Sequence, residues 1–132
     1  MDSEQHKEVT MPEKIKVAAG TDDGVNLTRE HFGDAQQYHI YEVSRDGNYK
    51  LVEIRENTTL PLEEEDELHG DPRKFRAVEQ LLRDVDIFLA RAMGPNFLRV
   101  RDESPYIPFI VRGKDKTVEG GLKELLAKWP FP

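Results

Sequence analysis

Alternating apolar and polar side chains predict a strand near the start of the chain. In residues 14–19, Ile15, Val17 and Ala19 fall on one face and the intervening positions on the other, which is the period of two of a β-strand. A cluster of turn-forming residues at 20–24 follows and ends the pattern. We therefore expect a first strand over residues 14–19, followed by a loop.

Two later segments have the composition of a β-hairpin. Residues 38–43 and 49–54 are both rich in aromatic and β-branched side chains, which favour strands. The short linker between them contains Asp46 and Gly47, and an Asp-Gly pair between two such runs is a strong hairpin signal. The two strands should therefore pair in antiparallel orientation.

A helix is predicted after the hairpin. Asp71 followed by Pro72 is a typical helix start, with an N-cap carboxylate and a proline at the first helical position. Apolar side chains then recur at helical spacing, which predicts a helix that runs to about Asp84. The side chains on this apolar face are Phe75, Val78, Leu81, Leu82 and Val85. The acidic segment before the helix, within residues 57–70, is expected to be a solvated loop.

Two apolar runs in the second half predict further strands. Residues 87–90 are continuously apolar, as in a strand that is buried on both faces. Residues 106–111 form another run, in which Pro108 lacks the backbone N–H that a central strand needs, so this strand should lie at an edge. A short helix is expected after the turn at 94–96, and a last helix from about Thr117.

The order of these elements predicts an α/β fold with a mixed five-stranded sheet flanked by helices. The hairpin supplies the antiparallel part, and strands that alternate with helices imply parallel pairing in the second half. Residues 1–12 are polar and lack apolar periodicity, so we expect a disordered tail there. Residues 13–132 then form a single domain, as the length of 132 residues indicates.

Composition and charge exclude several classes of function. The chain has 19 basic and 26 acidic residues and a net charge of −7, and affinity for nucleic acid depends on basic side chains, so no nucleic-acid partner is expected. No apolar run approaches the ~20 residues of a membrane span and no secretory signal is visible, so we expect a cytoplasmic protein without a membrane partner. The absence of cysteine excludes disulfides, Cys-ligated metal centres and a thiol nucleophile.

The charge is unevenly distributed along the chain. Residues 1–70 carry 7 basic and 17 acidic side chains, whereas residues 71–132 carry 12 basic and 9 acidic ones. The basic half, which includes Arg91, has the charge to hold a small anion, although scattered charges often only solvate a surface.

Histidine provides the candidate metal ligand. His31 lies in the loop between the first strand and the hairpin, and a neutral imidazole can ligate iron, molybdenum or copper. The neighbouring Phe32 can anchor that loop in the core, and Gly33 permits a positive φ that would hold a turn. An ordinary loop histidine is the alternative. His39 is interpreted as a hydrogen-bonded sheet histidine, and His69 as a weaker candidate for a second imidazole.

Carboxylates suggest a second possible site. Asp22 and Asp23 follow the first strand and would hold magnesium for a nuclease only if further carboxylates, such as Glu42 and Asp86, converged on them from other strands. The acidic net charge disfavours a nucleic-acid substrate, so a metal-dependent nuclease is the weakest of the alternatives.

Four segments stand in a characteristic order along the chain. They are Lys14-Ile15-Lys16-Val17-Ala18-Ala19-Gly20, His31-Phe32-Gly33 ahead of the Tyr38–Val43 strand, Met93-Gly94-Pro95-Asn96, and Thr117-Val118-Glu119. With these segments the chain resembles the dinitrogenase iron–molybdenum cofactor biosynthesis family, the small domain of nitrogenase cofactor carriers and of the orange protein. The resemblance covers about residues 14 to 127.

The resemblance implies a ribonuclease H-like three-layer fold and a nitrogen fixation-related, non-enzymatic carrier of an iron–molybdenum or other metal–sulfur cluster. It makes His31 the metal ligand, and a cluster donor or acceptor protein a possible partner. Arg91 stands where the family's strand end is usually small and apolar. The expected cofactor-binding residues are His31, Phe32, Gly33, Arg91, Gly94, Pro95 and Asn96. An interaction module of the same fold that binds no cluster is the main alternative.

The two loops that contain these residues should meet. One follows the first strand and the other follows the buried strand, and ligands in open α/β sheets bind in the crevice at the carboxyl ends of such strands. The first loop contains His31 and the second contains Gly94. We therefore expect a binding crevice between them.

Overall fold

The computed structural model of this chain describes residues 14–58, 72–94 and 97–128. The expected tail at 1–12, the acidic segment, His69, Pro95 and Asn96 lie outside these ranges. Within them, no helix has both the length and the apolar character needed to cross a membrane.

The described residues form five strands and three helices. The strands are β1 (Lys14–Thr21), β2 (Gln37–Ser44), β3 (Tyr49–Glu56), β4 (Ile87–Ala90) and β5 (Ile107–Ile110). The helices are α1 (Pro72–Leu81), α2 (Phe97–Glu103) and α3 (Val118–Lys128), and a 3₁₀ turn spans Phe32–Asp34. The fold is therefore α/β, as the sequence predicted.

The five strands form one mixed sheet in the order β3-β2-β1-β4-β5. β1 pairs antiparallel with β2, and β2 with β3, whereas β1–β4 and β4–β5 are parallel. The register places Val17 opposite Tyr41 on one side and Ile87 on the other. The predicted hairpin is confirmed, with Gly47 at a φ of 105°, and so is the edge position of the strand that contains Pro108.

The core lies on both faces of this sheet because the central strands are buried on both sides. On one face, Ala18, Ile40 and Phe88 pack with side chains of α1 and α2. On the other, alternate residues of β1 and β4 pack with α3. The buried α3 side chains of this second cluster are Val118, Leu122 and Leu125. Helices thus cover both faces, and they leave the loops at the carboxyl ends of the parallel strands accessible.

Helix α1 ends at Leu81, so the prediction that it continues to about Asp84 is wrong. The guanidinium of Arg55, on β3, donates to the Leu81 carbonyl at 2.9 Å and to the Asp84 carboxylate at 2.7 and 2.8 Å. An orphan carbonyl of the last turn is thereby satisfied by a side chain from the sheet. The apolar periodicity continues through Leu82 and Val85 because both still face the core.

The Arg55–Asp84 pair makes stability depend on pH. Hydrogen bonds from Arg55 hold the pKa of Asp84 well below its usual range. A carboxylate with a lowered pKa in the folded state adds stability that is complete above its unfolded pKa of about 3.9 and is lost as the pH falls through the lower folded value. Because the Asp84 side chain is 41% exposed, we expect Asp84→Asn to cost only about 1 kcal/mol at pH 7.

The measurement is urea unfolding of the wild type and of Asp84→Asn at neutral and acidic pH. The difference between the two proteins should shrink below about pH 4. Glu30→Gln is the control, because the exposed Glu30 has no ion pair in the described part of the chain. A difference that stays constant from pH 7 to pH 2 would contradict the prediction.

Candidate functional site

The loops that follow β1 and β4 meet at the carboxyl edge of the sheet, as expected from the parallel pairing. The backbone N–H of Phe32 donates to the carbonyl of Ala92 at 2.9 Å. The imidazole of His31 lies directly on Gly94, since a Cβ built on that glycine would be 2.5 Å from the ring. The structure therefore brings His31, Phe32 and Gly94 together.

The buried side chain of Phe32 anchors the loop that contains His31. Its side chain is 2% exposed and stacks on Phe88 of β4 with ring centroids 4.7 Å apart, and its ring centroid is 5.0 Å from that of Tyr38 of β2. Gly20, at the end of β1, makes room for the ring, because a Cβ there would approach it to 3.2 Å. The expected anchoring role of Phe32 is confirmed, because the buried ring fixes the backbone next to His31.

Two residues that the sequence did not single out hold the same turn. The buried Tyr38 hydroxyl donates to the Phe32 carbonyl at 2.9 Å. The Asn57 side-chain amide donates to the carbonyls of Gly33 and Ala35 at 3.0 and 2.8 Å. Backbone groups of a turn need such partners once they are removed from water. A lone asparagine after a strand signals only a turn, so neither role was visible in the sequence.

His31 itself remains exposed to solvent. It precedes the 3₁₀ turn in an extended conformation, with φ −68° and ψ 154°. Gly94 has a φ of +79°, whereas Gly33 does not adopt a positive φ, so the conformational role expected of Gly33 is wrong. The glycine that this site requires is Gly94, which combines a left-handed backbone with the close approach of an imidazole.

We expect Gly94→Ala to lower the free energy of unfolding by more than backbone strain alone would. Gly47 provides the matched control, because it also has a positive φ but nothing lies within 4 Å of its added Cβ. Gly47→Ala should cost about 1 kcal/mol through strain, and Gly94→Ala about 1–3 kcal/mol more because the imidazole must move.

Denaturant unfolding with a double-mutant cycle measures this steric contribution. In a His31→Ala background, the cost of Gly94→Ala should fall to that of Gly47→Ala, since the added Cβ no longer meets an imidazole ring. Equal costs of Gly94→Ala with and without the imidazole would show that the contact is absent in solution.

A cleft of about 500 Å³ lies beside this pair of loops. Arg91, directly after β4, lines it and is half-buried, whereas His31 is not among its lining residues. The rest of the wall comes from the loop after β1 and the loop between β5 and α3. The lining residues of these loops are Asp22, Asp23, Asn26, Leu27, Thr28 and Arg29, and Lys114, Asp115, Lys116 and Thr117.

A comparison with known protein families identifies the family of this chain. The family model described as dinitrogenase iron-molybdenum cofactor matches residues 13–128. The chain belongs to this family. The match spans β1, the His31 turn, the Gly94 turn and α3, so the resemblance seen in the sequence is confirmed. A search of curated proteins found no match.

In this member of the dinitrogenase iron-molybdenum cofactor family, the acidic residues after β1 stabilise their own loop. The Asp22 carboxylate accepts from the Thr28 hydroxyl and the Gln36 N–H, both at 2.9 Å. Asp23 accepts from the N–H groups of Val25 and Asn26 at 2.9 and 2.8 Å. Hydrogen bonds from Asn26 lower the pKa of Asp23 to about 2, so this carboxylate is ionised at neutral pH.

The carboxylates considered for a nuclease do not converge. Asp86 accepts from the backbone N–H of Lys16 at 2.9 Å, and Glu42 lies opposite Lys16 on β2. Asp22 and Asp23 are six and seven residues farther along, which in a strand is about 20 Å. No group of three or more His, Cys, Asp or Glu side chains in the described ranges is placed to hold a metal ion. The geometry therefore gives the nuclease alternative no support.

His39 has the structural role that the sequence predicted. It is 7% exposed on β2, and its Nε2 is 3.1 Å from the side-chain oxygen of Gln37. Burial lowers its pKa, which favours the neutral ring. His39 is a hydrogen-bonded sheet histidine.

Proposed function

We propose that this protein is a non-enzymatic carrier of an iron–molybdenum or related metal–sulfur cluster, which it receives from one protein and passes to another. The family to which the chain belongs is described by that cofactor, and the loops that carry the matching residues meet at one edge of the sheet. In this proposal the cluster is the cargo, which the protein binds and later releases.

The observation that carries the proposal is the His31 imidazole lying on Gly94. An exposed ring can be approached by a large cargo, and a neutral imidazole nitrogen ligates iron or molybdenum without first losing a proton. Packing on Gly94 limits the orientations of the ring, and the buried Phe32 fixes the backbone beneath it. His31 is therefore suited to act as a presented, preoriented ligand.

Charge and ligand number support reversible binding. Sulfide-rich clusters are anionic, and Arg91 places a positive charge after β4, one residue before the Ala92 carbonyl that holds the Phe32 N–H. The chain contains no cysteine, so its own ligand to the metal in this proposal is a single imidazole. One imidazole assisted by a cation binds a cluster more weakly than several thiolates do. Weak binding allows the cluster to be released to an acceptor protein.

Two further features belong to the same proposal. A ribonuclease H-like fold is supported by the mixed sheet in which β2 alone opposes the other four strands, with helices on both faces. A cytoplasmic location, where donor and acceptor proteins would be met, remains the expectation from the sequence.

A protein-interaction module is the second candidate function, and the surface of β3 favours it. Leu51, Val52 and Ile54 are 44–50% exposed on this edge strand, and Val25 is 62% exposed. Large apolar side chains grouped on a surface often mark a contact with another protein. In a carrier such a surface would complement the cluster site, whereas in a pure interaction module it would be the whole function.

Anaerobic reconstitution tests the proposal. The wild-type chain is incubated with an iron–molybdenum or iron–sulfur cluster extract under strict anaerobiosis, separated by gel filtration, and analysed for metal and acid-labile sulfide. Metal and sulfide that co-elute with the protein support the carrier function. If neither co-elutes, the carrier function is rejected and the interaction module takes its place.

A further inference from the structure

The cleft beside Arg91 is a preformed feature of the fold. It opens at the carboxyl ends of β1, β4 and β5, where β1 has an antiparallel neighbour on one side and a parallel one on the other. Its two loop walls are joined by backbone hydrogen bonds, from Leu27 N–H to the Lys116 carbonyl at 3.0 Å and from Val118 N–H to the Val25 carbonyl at 2.8 Å. Ligands of open α/β sheets usually bind outside the carboxyl ends of the strands where the strand order reverses, and here β2 and β3 lie on one side of β1 while β4 and β5 lie on the other.

Three cationic side chains of the cleft have no partner among the described residues. Arg29, Arg91 and Lys114 line it, and none of them makes a hydrogen bond or an ion pair with its side chain in the described part of the chain. Lysines elsewhere in the described ranges pair with carboxylates, as Lys50 does with Glu42 at 3.8 Å, whereas the exposed Arg76, Arg83 and Arg112 have no ion pair there either. Arg91 is also half-buried, and an arginine that is partly removed from water without a partner has the strongest need of an anion.

The carboxylates of the cleft are already occupied by neutral donors. Asp22 and Asp23 accept hydrogen bonds within the loop after β1, as described above. Asp115 accepts from both the N–H and the hydroxyl of Thr117, at 3.0 and 2.6 Å. These hydrogen bonds hold the carboxylates within their own loops but leave them charged, so the cleft is lined by three carboxylates and by four cations, of which Lys116 already donates to the Val111 carbonyl.

We propose that this cleft binds a small polyanion that carries carboxylate or phosphate groups, held by Arg29, Arg91 and Lys114. The planar guanidinium groups match two oxygens of a carboxylate or phosphate, and the ammonium adds a point charge. A volume of about 500 Å³ accommodates an anion with several such groups. This site shares Arg91 with the proposed cluster site but not His31, which does not line the cleft, and the binding of a free anion by the cleft does not require the carrier function.

Calorimetric titration of the full, metal-free chain in low-salt buffer tests the site. The two probes are pyrophosphate and tricarballylate, each of which offers several negative charges, and the tighter binder identifies the oxygen chemistry that the cleft prefers. Binding should weaken with added salt. The double variant Arg29→Gln/Lys114→Gln should reduce the affinity by about tenfold or more, as expected when two ion pairs are lost.

One control variant makes the result specific. Lys50→Gln removes the same kind of charge from β3, outside the cleft, and should leave the affinity unchanged. The inference is overturned if neither probe binds at millimolar concentration, or if Lys50→Gln weakens binding as much as the double variant does. Since no metal is present, failure here leaves the carrier function standing, and failure of cluster uptake leaves this site standing.

Discussion

Replacing His31 by alanine is expected to abolish or sharply weaken the uptake of a metal–sulfur cluster while the fold remains intact. The imidazole is the proposed ligand and is exposed above Gly94, so its removal takes away a metal ligand without opening a cavity in the core. Exposed substitutions of this kind usually change the free energy of unfolding by no more than about 0.5 kcal/mol.

The comparison needs a control from the same loop. Gln36→Ala changes an exposed side chain near His31 and should retain full uptake. Metal and acid-labile sulfide are measured per chain after anaerobic reconstitution, and urea unfolding is recorded for all three proteins. If His31→Ala binds as much cluster as the wild type, the assignment of the ligand to His31 fails even if the protein proves to be a carrier.

Replacing Phe32 by alanine should cause the largest loss of stability among the site variants, about 3–5 kcal/mol. Its ring is almost fully buried between Phe88 and Tyr38, so the substitution removes apolar contacts and leaves a cavity beneath the His31 turn. The Phe32 N–H still has the Ala92 carbonyl as its partner, so the effect comes from packing rather than from a lost backbone hydrogen bond.

Denaturant unfolding measures this loss, with Leu51→Ala as control. Leu51 is a large apolar residue that is 44% exposed, so its truncation should change stability by no more than about 0.5 kcal/mol. A loss below about 1 kcal/mol for Phe32→Ala would be incompatible with a fully buried aromatic ring, and the turn would then not be anchored in the core.

The sequence determined the elements of this protein because their signals are local. Period-two alternation predicted β1, and two runs of aromatic and β-branched residues joined by the Asp-Gly linker predicted the hairpin. The continuous apolar run of Ile87–Ala90 predicted a buried strand whose bounds the structure reproduces. Pro108 correctly indicated an edge strand, since a missing N–H excludes the centre of a sheet. The His-Phe-Gly triplet also pointed to the family, because that match is a property of the residues in order.

Only the tertiary structure decided features that depend on residues far apart in the chain. Helix α1 ends at Leu81, where Arg55 of β3 donates to the Leu81 carbonyl, and the apolar pattern of the helix contains no sign of that partner. A glycine within a helix lowers helix propensity, yet an added Cβ on Gly121 would lie 3.0 Å from Val111 and 3.2 Å from Leu89, so this glycine permits α3 to approach the sheet.

The candidate site shows the same division. The sequence supplied His31 and the expectation that its loop meets the one after β4, because parallel strands bring their carboxyl ends to one edge. It did not show that the histidine rests on Gly94, that Asn57 holds the turn, or that three cations of the cleft have no partner among the described residues. Those facts depend on which side chains the folded sheet brings into contact, and local propensity carries no information about such long-range partners.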